Sequence, residues 1–239
     1  MVNWQDPTVI VQEYASVAVV SQVSGGIFLW EWITTLYFDW KLLSAGRLEF
    51  RSPTILYILS RLTALATVIC LFYYLNIKSE ISFCDAMSRA IVDLGYSAIV
   101  LSSALMALRV VAIWNRDRRV ILFAAVVIIL DAVFLLHGLI TDGGATWDPT
   151  ARACIAFNTA RYKLNIVVTF ITDILMLVVM LIGIWFQRGS GSLWRVVERQ
   201  GIIWLIIAII SYAPLVVLIF LNFNNPMNLM LQLPFCLSM

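Results

Sequence analysis

Five ionisable side chains stand inside apolar runs of this 239-residue sequence, and they are the residues best placed to do chemistry: Glu31, Arg61, Asp93, Asp131 and Asp173. A charged residue at the centre of a membrane helix costs about 2.5–3.5 kcal/mol on insertion scales. Such groups therefore face the interior, where they pair with one another or form a functional site. A carboxylate in a polar cavity could bind a cationic ligand, and two carboxylates could carry a proton.

The apolar runs around these residues are long enough to be membrane spans. The chain is 62% apolar and 13% charged, whereas soluble domains are about 45–50% apolar and about 25% charged. Crossing the hydrocarbon takes about 20 apolar residues. The sequence thus predicts an all-α, polytopic membrane helix bundle, with a single transmembrane domain over residues 1–239. Six full spans are expected at 15–37, 53–75, 88–113, 120–140, 164–186 and 200–221, followed by a truncated seventh at 228–239.

The basic residues predict the orientation of the bundle. Nine of them follow spans one, three and five, and five lie on the other side. Because cytoplasmic loops are enriched in Lys and Arg, we expect the N-terminus outside. Arg109, Arg116, Arg118 and Arg119 would then lie on the cytoplasmic face.

Glu31 and Arg61 fall at similar depths in the first two predicted spans. Glu31 is about six residues from the inner boundary of its span and Arg61 about eight from its own, a difference of a few ångströms. Adjacent antiparallel helices would bring them together as an intramembrane ion pair. The pair would either fix the packing of the two helices or act as a coupling site.

Two polar stripes predict a cavity open to the exterior. Asp93, Tyr96, Ser97 and Ser103 share one face of span three, and Asn165, Thr169, Thr172 and Asp173 share one face of span five. Tyr212 lies in the outer half of span six. The candidate ligand-binding residues are Asp93, Tyr96, Ser97, Thr169, Asp173 and Tyr212, and the candidate proton-titrating residues are Asp131 and Asp173. The alternative is that these side chains only form hydrogen bonds between helices.

Cys84 and Cys154 share the predicted outer side, on either side of spans three and four. An oxidising exterior permits a disulfide between them, and the alternative is two separate free thiols. Cys70 and Cys236 lie in apolar segments, where a free cysteine packs as a small hydrophobe.

Other kinds of site find little support in the sequence. His137 is the only histidine, so a zinc site with three histidines is impossible, and no glycine-rich phosphate loop is present. We expect no enzyme activity, no cofactor and no metal. The net charge of +2 and the lack of a basic run argue against nucleic acid as a partner.

Several phrases resemble a family of fungal membrane proteins that is expanded in basidiomycetes. They include "WEWITTLYFDW", "YILSRLTALATVI" and "ALRVVAIWNRDRRV". The N-terminal part of that family is a domain of unknown function with an acidic residue, an aromatic and then an Arg in the second helix; Glu31, Trp32 and Arg61 stand at these positions. The resemblance implies seven helices and no particular activity.

A looser resemblance is to G-protein-coupled receptors. An external N-terminus, a cysteine before helix three, another in the second external loop and "YAP" in helix six match that layout. The sequence "LRVVAIWNRDRR" departs from the receptor pattern at the inner end of helix three.

Three functions remain open after these observations. The first is a receptor-like seven-helix protein of the plasma membrane, which binds a small molecule from the outer side and a signalling partner on the cytoplasmic side. The second is a small proton-coupled transporter or channel. The third is a membrane scaffold without a ligand.

Overall fold

The computed structural model describes residues 7–44, 52–77, 83–141, 144–148, 153–156 and 162–186, together with scattered positions between 203 and 227. Five helices and two short strands make up the continuous part. They are α1 (Pro7–Ser44), α2 (Ser52–Asn76), α3 (Cys84–Ile113), α4 (Arg118–Thr141), β1 (Ala145–Asp148), β2 (Ala153–Ala156) and α5 (Tyr162–Phe186).

All five helices are long and apolar enough to cross a membrane. The prediction of a helical membrane bundle is confirmed for the first five spans. In α5 the many β-branched residues favour strands in water. Hydrocarbon offers no partner for backbone N–H and C=O groups, so a segment of this kind forms a helix that satisfies them internally.

The sixth predicted span is helical at each described position, including 213–218. The partial seventh span at 228–239 lies outside the described residues. The number of spans and the orientation of the N-terminus therefore stay predictions.

The largest difference from the predicted boundaries is in α1. It begins at Pro7 and ends at Ser44, whereas the apolar window predicted residues 15–37. Its 38 residues rise about 57 Å, well beyond roughly 30 Å of hydrocarbon. The window missed both ends because they carry polar residues that a helix tolerates outside the hydrocarbon.

α3 is the central element, and it packs against α2, α4, α5 and β1. Its buried face is made largely of small residues: Gly95, Ala98, Ser103 and Ala107. Small side chains let helix backbones approach closely in membranes. Toward one end, Tyr96 and Ile99 pack with Leu135 of α4 and Ile166 of α5.

A β-hairpin, absent from the sequence prediction, connects α4 to α5. β1 and β2 pair antiparallel, with Trp147 opposite Cys154. The backbone N–H of Ala145 donates to Asp85 Oδ1 (3.2 Å), and Tyr74 Oη–H donates to the carbonyl of Cys154 (3.0 Å). We call this the hairpin end of the bundle. The strands escaped prediction because each has four residues, too few for a readable alternation.

The opposite end of α3 closes in a tight turn into α4. Asn115 and Arg116 have φ of 49° and 62°, and the backbone N–H of Arg119 donates to Asp117 Oδ1 (3.0 Å). Just before the turn, Trp114 Nε1–H donates to the carbonyl of Val179 on α5 (3.1 Å).

The Trp114 indole lies against Gly183, and this contact generates a prediction. A Cβ at Gly183 would come 2.4 Å from Trp114 Nε1, whereas a Cβ at Gly26 would meet nothing within 4 Å. Gly183→Ala should lower the free energy of unfolding in detergent by about 1–3 kcal/mol, as overpacking does. Gly26→Ala, the matched control, should leave the free energy of unfolding unchanged or raise it by up to about 1 kcal/mol, since alanine is favoured over glycine inside a helix. Equal effects would contradict the contact.

Candidate functional site

Arg61 of α2 is bound at the end of the bundle away from the hairpin. Its Nη1 lies 2.6 Å from Asp39 Oδ2 and donates to Tyr57 Oη (2.9 Å), whose hydroxyl donates to Asp39 Oδ1 (3.1 Å). Nη2 donates to Thr35 Oγ1 and to the carbonyl of Trp32 (3.4 Å). These five residues form the Arg61 cluster, which holds α1 against α2.

The predicted ion pair between Glu31 and Arg61 is therefore wrong in its acidic partner. Asp39 lies eight residues beyond Glu31, outside the apolar window of residues 15–37 and therefore in a predicted loop. Because α1 continues to Ser44, Asp39 is still helical and faces α2. Side chains on a helix lean toward its N-terminus, so the guanidinium of Arg61 extends over the ring of Tyr57, at the height of Asp39.

Asp131 is the most deeply buried carboxylate among the described residues, at 2% exposure. Its Oδ1 accepts hydrogen bonds from the hydroxyls of Thr169 (3.0 Å) and Thr172 (3.5 Å) on α5. Its Oδ2 is buried and has no hydrogen-bond partner within the part of the chain that the structure describes. The candidate Asp131, predicted as a titrating group, is thus brought together with Thr169, predicted as a ligand contact.

Asp173 lies on the same face of α5, one turn after Thr169. It is buried, and its Oδ1 accepts a hydrogen bond from Ser103 of α3 (3.0 Å). α5 therefore carries one polar connection to α4 and one to α3, within about 6 Å of rise. The alternative of hydrogen bonding between helices accounts for the pairing of Ser103 with Asp173.

Asn165 continues this face one turn closer to the hairpin end. Its side chain is 3% exposed, and its Nδ2 is buried and has no hydrogen-bond partner among the described residues. Asn165, Thr169 and Asp173 lie about 4.5, 10.5 and 16.5 Å along α5 from Tyr162. Within the described residues, α5 thus carries an unsatisfied donor at Asn165 and α4 an unsatisfied acceptor at Asp131. Thr169, one turn after Asn165 on α5, contacts Asp131.

The remaining candidates on α3 divide between the interior and the surface. Tyr96 is buried and faces α4 and α5. Asp93 is half-buried, and Ser97 is exposed, its hydroxyl donating to the carbonyl of Asp93 (2.8 Å). The structure therefore does not place Ser97 in a cavity between helices. Tyr212 lies outside the described residues.

The structure joins Cys84 and Cys154 in a disulfide, with their Cα atoms 5.9 Å apart. This covalent link fixes β2 to the first residue of α3. Sequence reasoning missed Asp85 and Tyr74, which also hold the hairpin. Asp85 directly follows Cys84, and that adjacency was the available signal.

The described residues contain no group of three or more His, Cys, Asp or Glu side chains that could hold a metal ion. What the buried arrangement offers instead is carboxylate and hydroxyl oxygens at mid-height in the bundle. These groups can accept hydrogen bonds from a small ligand or exchange a proton.

The Arg61 cluster generates a double-mutant prediction. Asp39→Asn and Arg61→Met should be coupled by roughly 1–3 kcal/mol in the free energy of unfolding, between the values of exposed and buried pairs. The control cycle uses Glu31→Gln with Arg61→Met, whose effects should add within about 0.5 kcal/mol. Unfolding in mixed detergent micelles would measure both cycles. A larger coupling for Glu31 than for Asp39 would refute the assignment.

Comparison with known proteins gives no family assignment. No family model matches the chain, and no curated protein matches it. The resemblances to a fungal family and to receptors therefore stay predictions, and function is argued from the contacts of the described residues.

Proposed function

We propose that this chain is a receptor-like, multi-pass protein of the plasma membrane that binds a small molecule between α3, α4 and α5. The hairpin end would face the exterior. The disulfide supports this orientation because such bonds persist in oxidising compartments. α1 would then begin outside, as the basic residues predict.

The observation that carries the proposal is the unsatisfied Oδ2 of Asp131. A buried polar atom without a partner costs about 1–3 kcal/mol, and nearly all such atoms in proteins are satisfied. Thr169, Thr172 and Ser103 account for the other carboxylate contacts as packing between helices. The contacts between the described helices leave Asp131 Oδ2 without a hydrogen-bond donor, and a ligand that donates a hydrogen bond would satisfy it.

The surrounding residues define the class of ligand. An acceptor at Asp131 and a donor at Asn165 Nδ2 suit a small molecule with a protonated amine and an oxygen acceptor. Tyr96 and Ile166 would supply apolar contacts from the hairpin side, where they pack together. Asp93 and Tyr212 stay candidate contacts for an entering ligand.

The cytoplasmic partner would bind the turn between α3 and α4. Arg116, Arg118 and Arg119 are exposed there, and Arg109 is exposed near the end of α3. The contact of Trp114 with α5 links this turn to the helix that bears Thr169. A partner with an acidic surface would fit these four arginines.

Proton-coupled transport is the second candidate. Two buried carboxyl groups favour it. Asp131 accepts from Thr169 of α5, and Asp173, one turn further along α5, accepts from Ser103 of α3. In that case protonation of the two carboxylates would accompany movement of a substrate.

The orientation generates a labelling prediction. Asn76, at the hairpin end of α2, and Arg118, in the turn between α3 and α4, are both exposed. With Cys70 and Cys236 replaced by Ser, Asn76→Cys should react with a membrane-impermeant maleimide on intact cells. Arg118→Cys should react only after permeabilisation. The reverse pattern would overturn the orientation and the outward-facing site.

The ligand site is tested with Asp131→Asn and Ser97→Ala as matched variants, since the first alters the buried carboxyl and the second an exposed hydroxyl. A panel of amines and amino alcohols would be screened for raising the thermal unfolding midpoint in detergent. At 100 times its Kd a ligand stabilises by about 2.7 kcal/mol. We expect at least one amine to shift wild type and Ser97→Ala by several degrees, and Asp131→Asn not at all.

Proton flux into liposomes distinguishes the two candidates. We expect no flux driven by a pH gradient in wild-type proteoliposomes. Flux that is present in wild type and lost in Asp131→Asn would replace the receptor proposal with transport. Equal amine shifts in wild type and Asp131→Asn would remove the carboxyl from the ligand site.

A further inference from the structure

Glu31 lies on the outer surface of α1, surrounded by exposed apolar side chains. Ile27 is 66% exposed, Trp30 72% and Phe38 62%, and the side chains of Glu31 and Thr34 are exposed as well. Within the part of the chain that the structure describes, no hydrogen bond or ion pair is made to the Glu31 carboxyl. None of the described residues covers this surface of α1, which is open to lipid.

Two contacts fix the depth of Glu31 against α2, whose 25 residues rise about 37 Å. A Cβ at Gly25 would meet the ring of Phe72 and the side chain of Val68, so Gly25 lies at the height of about residue 70. Glu31 is six residues, or about 9 Å, closer to the opposite end. It therefore lies at the height of about residue 64, the middle of α2.

The Arg61 cluster gives the same height independently. Thr35 accepts from the Arg61 guanidinium, which leans back toward Tyr57. Thr35 therefore lies at the height of about residue 60, and Glu31, one turn away, again lies near residue 64. Both estimates place the carboxyl at the centre of the span.

Exposure of a carboxyl group to lipid at this depth is unfavourable. The cost at the bilayer centre is about 2.5–3.5 kcal/mol on insertion scales. Long side chains near helix ends reduce such costs by reaching the interface. The short side chain of Glu31 cannot do so across about 15 Å, half of the hydrocarbon thickness.

The described part of this chain offers no free cation at that depth. Arg61 is occupied by Asp39, and the other basic residues described lie in or near the ends of helices: Lys41, Arg89, Arg109, Arg116, Arg118, Arg119 and Lys163. The described residues of a second copy that presented a different face would therefore bring no cation to the depth of Glu31. A copy related by a twofold axis along the membrane normal would bring its own Glu31 to the same depth.

The exposed residues around Glu31 have the spacing of a helix-packing seam. Ile27, Glu31, Thr34 and Phe38 are separated by four, three and four residues, and all are exposed. Spacings that alternate between three and four residues place these side chains along one face of the helix. They are typical of helices that pack in left-handed pairs. The seam lies away from α2, on which Gly25 and Asp39 pack.

We propose that α1 is a dimerisation helix, which packs against α1 of a second copy through Ile27, Glu31, Thr34 and Phe38. At the centre of the seam the two Glu31 carboxyl groups hydrogen-bond to each other. Each carboxyl O–H donates to the carbonyl oxygen of the other, so both groups are satisfied and the pair carries no charge into the hydrocarbon. This interface does not depend on the ligand site between α3, α4 and α5.

Association in liposomes tests the role of the carboxyl. Fluorescently labelled full-length protein in phosphatidylcholine vesicles should form dimers as the protein-to-lipid ratio rises, counted by single-molecule photobleaching. Glu31→Gln keeps a donor and an acceptor and should dimerise within about threefold of wild type. Glu31→Leu keeps the apolar seam alone and should weaken dimerisation about tenfold or more, since tenfold is about 1.4 kcal/mol.

Cysteine cross-linking tests the face. With Cys70 and Cys236 replaced by Ser, Thr34→Cys should form a disulfide-linked dimer in membranes under mild oxidation. Ile33→Cys is the matched control, since Ile33 is 61% exposed at the same depth but about 100° around the helix. It should cross-link at least fivefold less.

Three results would overturn the proposal. Wild type could stay monomeric at every density, or Glu31→Leu could dimerise as strongly as wild type. Thr34→Cys could also cross-link to a different membrane protein in place of a second copy, which would indicate a partner helix with a basic residue at mid-span.

Discussion

Hydrocarbon supplies no hydrogen-bond partner, and the structure depends on that constraint. Away from the helix ends, the backbone groups of α1 to α5 are satisfied within their own helices. Polar side chains must find their partners on neighbouring helices. The Arg61 cluster, the pair of Ser103 with Asp173 and the pair of Thr169 with Asp131 are such solutions. Each joins a different pair of helices, so these polar contacts also determine which helices are neighbours.

Exceptions to the same constraint identify where function should be sought. Asp131 Oδ2 and Asn165 Nδ2 are buried and unsatisfied, and Glu31 is exposed at mid-span. The first pair supports the proposal of a small ligand that enters the bundle. The carboxyl on α1 supports the proposal of a second copy that approaches within the membrane. The cost of an unsatisfied polar group thus underlies both proposals.

The apolar windows in the sequence predicted the five helices well, because burial in lipid requires length and apolarity that can be counted. They did not predict helix ends, since the helical extension of α1 past residue 37 carries polar residues. Because of that error, Glu31 was predicted as the partner of Arg61, whereas the structure shows Asp39. Periodicity correctly put Tyr96, Thr169 and Asp173 on interior faces, but it could not orient Ser97, which is next to Tyr96 and points outward. The two strands of the hairpin have four residues each, too few for a readable alternation of polar and apolar side chains, so the sequence carried no signal for them.

The disulfide between Cys84 and Cys154 has a mechanical consequence. It spans 70 residues of sequence and closes α3, α4 and the loop to β2 into one covalent ring. Tension along the chain would pass from α2 to β2 through the sulfur atoms and leave this ring unstretched. The extensible contour would be shorter by roughly 240 Å than that of the reduced chain. The central helix of the bundle and its neighbour α4 are thus shielded from forces that would pull α1, α2 and α5 from the membrane.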